Sequence, residues 1–559
     1  MQNPYVKNGL AFVIIILFIG LTLTPGVNAN IETSTAPNLN KHSQKLTEEE
    51  LYELRYVDIP MRYRYITEDG QIHTVTKSRS EVLAERAQYY EEKDLSLIST
   101  NIGNGNHSPI YIDGNDDFTE ENGVTGGSGT ENDPYIIENW VIVYDGVAEN
   151  GIFITNTDAY FIIRNCTVRS FTPEGYLGIR FNNVKNGRIE DTEAFWNYAG
   201  IGIWDSEYVT IFNCTSHDNK GWYARGVFCS SCSNITISSC EFYNNNGETA
   251  NGIELYRCSY CVIENTSSFN NDWHGLEIGH GHPPEDFQNL CKHNIIRDCK
   301  FYKNLLNGIC FYSNRRLFFK YKGPSYNQII RCEVYDNGHC PGDGNGFEGI
   351  RIDGYYNGVV IEDCDIHDNE YGITISVSSY NIIRNCRIYN NIDETDYIGW
   401  GVLIGGVFLG EILGAGEWAV NNEIVNCDIY NNEMGIWLCE TFKSNVHKNN
   451  IYNNSFFGIA VDNFNGISAA VNINYNNIYD NGFETNYACG MMILERSICD
   501  ARYNWWGADN GPKIFWYIYS KNICIPLRPW GDGDRIGRGR CILFLRPWEK
   551  EPIPDAGRQ

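Results

Sequence analysis

The stretch NDWHGLEIGHGHPPEDF (271–287) places Asp272, Trp273, His274, Glu277, His280, His282, Glu285 and Asp286 within seventeen residues. Carboxylates held close together push their pKa values apart, and an imidazole beside them can move a proton near neutral pH. Glu254 stands in an equivalent setting, Gly252-Ile253-Glu254 against Gly275-Leu276-Glu277. Two such carboxyls could divide the roles of acid and base. Glycoside cleavage with retention needs them about 5–5.5 Å apart. Arg351 and Asp353, after Gly349-Ile350, could hold a sugar carboxylate and a hydroxyl, and Trp273, Tyr256 and Tyr312 offer rings that stack on sugar faces. His280 and His282, with Glu277 or Asp286 nearby, could hold a divalent metal ion such as zinc or copper. Set against these roles is the ordinary reading, in which the histidines belong to a solvated polar turn.

The elements that position these residues are repeats. NIIRNCRIYNN (381–391) returns almost unchanged as NIIRDCKFYKN (294–304) and NEIVNCDIYNN (422–432). Alignment of the phrase gives a column at Cys166, Thr192, Cys214, Cys240, Thr266, Cys299, Cys332, Cys364, Cys386, Cys427, Asn449 and Asn476. A second column is a glycine followed by an apolar residue, from Gly178-Ile179 to Gly458-Ile459. Each repeat therefore holds two or three short alternating strands between Asn/Gly/Asp turns. No helical stretch separates the strands, which excludes leucine-rich repeats, and most units are shorter than a propeller blade. The reading that remains is an all-β right-handed parallel β-helix of about thirteen rungs with N- and C-terminal caps. At one strand spacing per rung it forms a rod on the order of 60 Å long.

In that fold Ile383, Cys386 and Ile388 point inward while Arg384 and Arg387 point to water. The cysteine column then acts as a small buried hydrophobe, with disulfides or metal ligation as rivals. Cys229-x-x-Cys232 and Cys258-x-x-Cys261 have the spacing of a zinc ribbon. Rung alignment puts Cys229 opposite Leu255 and Cys261 opposite Ile235, so a Cys232–Cys258 disulfide is the better expectation. The row two residues after each repeat glycine should face outward: Arg180, Trp204, Phe228, Glu254, Glu277, Cys310, Arg351, Thr374, Trp437, Ala460 and Met492, most of it ordinary solvated surface.

The 559 residues carry 70 acidic against 43 basic side chains, a formal charge of −27. Such a surface repels phosphate backbones, so nucleic acid is not an expected partner. One early lysine, an apolar run over 10–23 and Val27-Asn28-Ala29 read as a signal peptide over 1–29, hence a secreted or cell-surface protein. A membrane would be met only through that segment left uncleaved. Residues 30–108 form a polar linker and a charged N-terminal cap, with a hairpin around Asp69-Gly70 and a helix over 80–92. The repeat domain spans 109–511 and a C-terminal cap 512–559. The glycine-rich, apolar 399–418 reads as an insertion packed on the rod's flank. Six Asn-x-Ser/Thr sequons coincide mostly with repeat turns, Asn106 excepted.

The repeat, with PIYIDGNDDFTEENGVTGGSGTENDPYIIENWVI (109–142) opening it and ARYNWWGADNGP (501–512) closing it, resembles the pectin-lyase-like superfamily, and most nearly its NosD-like, archaeal secreted kind. That resemblance implies the β-helix and a carbohydrate-directed role. It does not fix an activity, since the superfamily includes lyases, hydrolases, epimerases, an accessory protein of a copper enzyme, and binding modules. WHGLEIG resembles the Gly-His-Gly rung of polygalacturonases, yet Asn251-Gly252-Ile253 stands where paired aspartates are expected. The Asp-Pro-His of alginate epimerases is replaced by Glu277-Ile278-Gly279, and LLNGICF (305–311) lacks the calcium-binding aspartates of some pectate lyases. The leading expectation is recognition of an extracellular or cell-envelope polysaccharide. Alternatives are a lyase, hydrolase or epimerase on acidic polysaccharide using Glu254, Glu277, His274 and Arg351, or a structural rod. A flat aromatic strip would favour binding; convergent polar groups would favour catalysis.

Overall fold

The computed structural model describes residues 105–280, 291–313, 325–338, 347–354, 356–393, 398–405, 419–462, 470–483, 488–494, 497–518, 523–528, 531–538 and 541–558, with the strand backbone of 60–66 and 72–78. The chain divides into two units, the smaller made of 1–98, 341–344 and 395–397. Its described part is an antiparallel pair, Pro60–Ile66 with Ile72–Ser78. The signal segment and the expected helix over 80–92 lie outside the described residues.

The larger unit is a right-handed parallel β-helix. One rung shows the pattern: Ile253–Tyr256 lies in a first sheet, Val262–Glu264 in a second and Ser267–Phe269 in a third, and Leu276–His280 then returns to the first. Pairing between rungs is parallel and in register, as in Ile253↔Leu276, Val262↔Ile295 and Ser267↔Lys300. The third sheet counts fourteen strands among the described residues, close to the expected number of rungs.

The repeated phrase is a pair of corners. Asn385 and Asn390 adopt φ of 55°, the left-handed region that asparagine tolerates better than most residues. Between them Arg387–Tyr389 forms the third-sheet strand. Cys386 and Ile388 are fully buried while Arg387 is exposed. Burial of such columns in every rung supplies the apolar area that drives folding. The eighteen described cysteines are free thiols, all but Cys541 buried. Cys386 Sγ donates to the Arg384 carbonyl at 3.2 Å, a bond repeated along the column, as at Cys364 and Cys427. The expected Cys232–Cys258 disulfide is not formed: both thiols instead donate to carbonyls two residues back, those of Ser230 and Tyr256. Cys229 stacks between Ile203 and Leu255, as its rung position required.

From the strand Glu193–Phe195 onward, each third-sheet strand is followed by a buried asparagine that turns inward. Eleven of them, from Asn197 to Asn481, bond rung to rung at 2.8–3.2 Å, each amide oxygen accepting from the asparagine before it. Asp534 ends the ladder, accepting from Asn481 N and Nδ2, and burial pushes its carboxyl up to about 6.

The 399–418 expectation needs correcting. Trp400–Gly405 is the first-sheet strand of its rung, paired with Tyr371–Ser376 and Met434–Cys439, and Gly401 is a repeat glycine. Residues 406–418 lie outside the described residues. Beyond 512, Gly533–Arg538 pairs in parallel with Cys489–Ile493. The last segment then runs back over earlier rungs, Ile553 N donating to Asn477 Oδ1, Gly557 N to Lys448 O, and Arg558 pairing with Asp365.

Candidate functional site

Strand alternation gives the first sheet an outward row in which Arg180, Gly202, Phe228, Glu254, Glu277, Cys310, Arg351, Thr374 and Leu403 stand in register. Trp204 is not in this row. Gly200 is the repeat glycine of its rung, so Gly202 takes the place beside Arg180 and Trp204 pairs with Asn182. Nor is most of the row solvated: Glu254, Cys310, Thr374, Leu403, Ala460 and Met492 are buried.

Glu254 and Glu277 are direct neighbours on adjacent rungs. Both accept from Nδ2 of Asn251, at 3.1 Å and 2.8 Å, so one amide holds the two carboxyls together. They differ in what else they meet. Glu254 is ion-paired with Arg225. Burial first, and the neighbouring Glu254 second, push the Glu277 carboxyl up to about 7. A half-buried carboxyl beside a second one that already holds a cation is the arrangement that separates two otherwise identical acids.

His274 lies one place before the repeat glycine, in a row with Asn251, Asn307 and Glu348. The first three side chains of that row each accept a backbone N–H from the next rung: Asn251 Oδ1 from His274 N (3.1 Å), His274 Nδ1 from Asn307 N (3.1 Å), and Asn307 Oδ1 from Glu348 N (2.7 Å). The histidine thus occupies an asparagine's position. Because Nδ1 accepts, the neutral ring carries its proton on Nε2. Burial, with the Arg351 charge second, holds its pKa down near 3, so the ring stays neutral.

Arg351 sits two rungs from Glu277 with its guanidinium between Asp353 (3.2 Å) and Glu348 (3.6 Å). The expected grip on a sugar carboxylate is therefore already taken by protein carboxyls. Glu348 escaped the sequence reading, which followed the residues after each glycine; the signal was the residue before it, where His274 also stands. Glu348 is 3% exposed, its Oε2 accepts no hydrogen bond, and burial raises its pKa. Burial also raises the Cys310 thiol between Glu277 and Arg351, leaving it protonated.

Of the expected aromatic contacts, Tyr256 and Tyr312 share the next outward row with Gly279 between them, and Tyr312 is 44% exposed. The Trp273 ring meets His274 edge-on at 5.6 Å. Asp353 is buried against Arg351. The proposed metal ligands are not placed: His282 lies outside the described residues, and only the backbone of His280 is described.

Fold and site define a right-handed parallel β-helix protein with a buried polar cluster on one outer sheet face. A family profile described as "Right handed beta helix region" matches residues 150–296 and 289–408. Among solved structures, the Azotobacter vinelandii mannuronan C-5 epimerase AlgE4 A-module is similar at 15% identity and a TM-score of 0.33, over 67% of this chain and 86% of that one. The periplasmic alginate epimerase AlgG gives 12%, 0.36, 74% and 85%. Pectate lyase Pel9A gives 14%, 0.27, 67% and 79%. A search of curated proteins finds no match.

Proposed function

We propose that this is an extracytoplasmic protein that acts on acidic polysaccharide by acid–base chemistry at Glu254 and Glu277. The observation that carries the reading is the pair itself, two carboxyls bridged by Asn251, one ion-paired to Arg225 and the other pushed up to about 7. A carboxyl with that pKa holds a proton about half the time near neutrality, so it can give a proton to a sugar oxygen or take one from a sugar carbon. Glu254, ion-paired with Arg225, is the second carboxyl beside it. His274, neutral with Nε2–H, serves as a hydrogen-bond donor rather than as a base. The apolar 10–23 segment and the acidic composition support an exported setting, and the NosD-like likeness of 109–142 and 501–512 fits a secreted, carbohydrate-directed rod.

The test is incubation with a panel of polyuronates and neutral polysaccharides, following unsaturated products by ultraviolet absorbance, reducing ends, and solvent deuterium entering the sugar ring. Turnover by the native chain that is lost in Glu277→Gln supports the proposal. Turnover unchanged in a folded Glu277→Gln, or none on any acidic polymer, refutes it.

A further inference from the structure

The first-sheet face carries a second feature toward its N-terminal end, separate from the carboxyl pair. Tyr111 and Phe153 lie with ring centroids 5.3 Å apart and tilted by 52°. The Arg180 guanidinium is 4.8 Å from the Phe153 ring and 5.2 Å from the Trp204 ring. Trp204 meets Phe228 edge-on at 5.4 Å, and Phe228 in turn carries Arg225 at 4.7 Å. Pairs of rings and single cations thus follow one another in unbroken contact up to the Arg225–Glu254 pair.

Gly202 makes this possible. A Cβ there would fall 2.4 Å from the Trp204 indole, so the missing side chain is the space the indole fills, in the row between Arg180 and Phe228.

Arg180 differs from its counterparts. Arg164, Arg188, Arg225, Arg297, Arg331, Arg351, Arg384 and Arg387 are each held by a carboxylate, and Arg257, which also has a buried Nε without an acceptor, lies over the single ring of Tyr256 where Arg180 lies between two. Among the described residues no carboxylate pairs with Arg180, and its Nε is buried without an acceptor. In a chain with 70 acidic residues, a cation left unpaired, partly exposed and fixed between two rings is a preorganised place for an anion from outside. Its distance from the pair is also informative. Arg180, Gly202, Phe228 and Glu254 are successive rungs, so Arg180 stands about 14 Å from Glu254, the length of a few sugar rings.

We propose that Arg180, clamped between Phe153 and Trp204, is an outer subsite for an anionic sugar, carboxylate or sulfate ester, of the same polysaccharide chain that reaches Glu254 and Glu277. This rests on the proposed function for its polymer class, but not for its geometry. A chain lying along the rod would set one sugar face on the tilted rings and one anion on the guanidinium while another residue sits at the carboxyl pair.

The experiment measures dissociation constants of the full chain for polyuronate and sulfated oligosaccharides of increasing length, with neutral oligosaccharides as control. Native protein is compared with Arg180→Met, Arg180→Lys and Gly202→Ala, each checked for an unchanged melting temperature. Arg180→Met is expected to weaken binding of long anionic chains about tenfold and to leave dimers and neutral chains unaffected. Arg180→Lys, which keeps charge without the planar fork, should fall between, and Gly202→Ala should weaken long chains by displacing the indole. Which polymer shows the effect distinguishes carboxylate from sulfate. A folded Arg180→Met that binds long anionic chains like the native protein overturns the subsite, even if Glu277→Gln abolishes turnover. A length-dependent loss in Arg180→Met without turnover on any polymer upholds the subsite and removes the catalytic reading.

Discussion

Two aromatic systems run along this rod on different sheets, and they do different work. On the third sheet, eleven rings from Phe195 to Tyr479 stack one per rung, with centroids 4.6–5.2 Å apart and planes within 10° of parallel. Each inner ring has both faces covered by its neighbours, so the row presents only edges, and no sugar can stack on it. Its histidines are similarly committed: although burial opposes the charge, bonds to Asp218 and Glu193 raise the pKa of His217, whose ring lies between those of Phe195 and Tyr243. On the first-sheet face from Tyr111 to Phe228 the ring pairs meet at 52° and 67° with Arg180 and Arg225 against them, and the buried Nε of Arg180 and Oε2 of Glu348 have no protein hydrogen-bond partner. A flat aromatic strip would have signalled binding had its faces been free. Where neighbouring rungs cover the ring faces, the sheet is a girder; the proposed site lies where the rings are tilted and a cation and a carboxyl remain unmatched.

The largest effect that would sharpen this contrast is Glu277→Gln, which should lower turnover about a thousandfold with little change in melting temperature, measured on acidic polymer and by calorimetry. Asn337→Ala should do the reverse. It strips the partners from Asn304 N and the Phe301 carbonyl, costing about 3 kcal/mol of stability in denaturant titration while leaving polysaccharide affinity as it was. His274 tests whether a residue on the working face is also part of the scaffold. His274→Ala leaves Asn307 N without its acceptor and should cost about 1–2 kcal/mol. His274→Asn, which copies the residues on either side, should keep stability and lose activity. Tyr335→Ala, removing one ring from the stack, should cost about 1 kcal/mol and change no glycan constant.

The smallest effect is on pH dependence. The Glu277 carboxyl is raised in the folded state, so the folded chain holds more protons than the unfolded one between the ordinary carboxyl range and about 7. The stability this contributes is present at low pH and lost as pH rises through about 7. Melting temperatures against pH should show a decline that Glu277→Gln flattens.

Much of the fold was legible because a rung repeats its own instructions. The phrase NIIRNCRIYNN carries the corner asparagine, the buried cysteine, the inward isoleucine and the outward tyrosine in fixed places, so the strands and the inward column could be read directly. The asparagine ladder was less visible, because the last asparagine of the phrase, Asn391, looks like any turn residue until stacking shows it buried. The site was readable only in part. Register between Glu254 and Glu277 followed from the glycine column, but their unequal charge environments depend on Asn251 and Arg225, whose roles arise across rungs. Arg351 could be placed, whereas its pairing with Glu348 could not, since Glu348 lies on the far side of the repeat glycine. Trp204 was displaced by one pleat because its rung has two candidate glycines, and 399–405 was read as an insertion because its glycine is one of many.

The most direct measurement is a crystal structure of Glu277→Gln with an acidic oligosaccharide bound. Sugar is expected over Glu254 and the Gln side chain at 277, extending toward Trp204 and Arg180, with the stack from Phe195 to Tyr479 bare. An oligosaccharide lying instead on the third-sheet stack, with the first-sheet face empty, would contradict it.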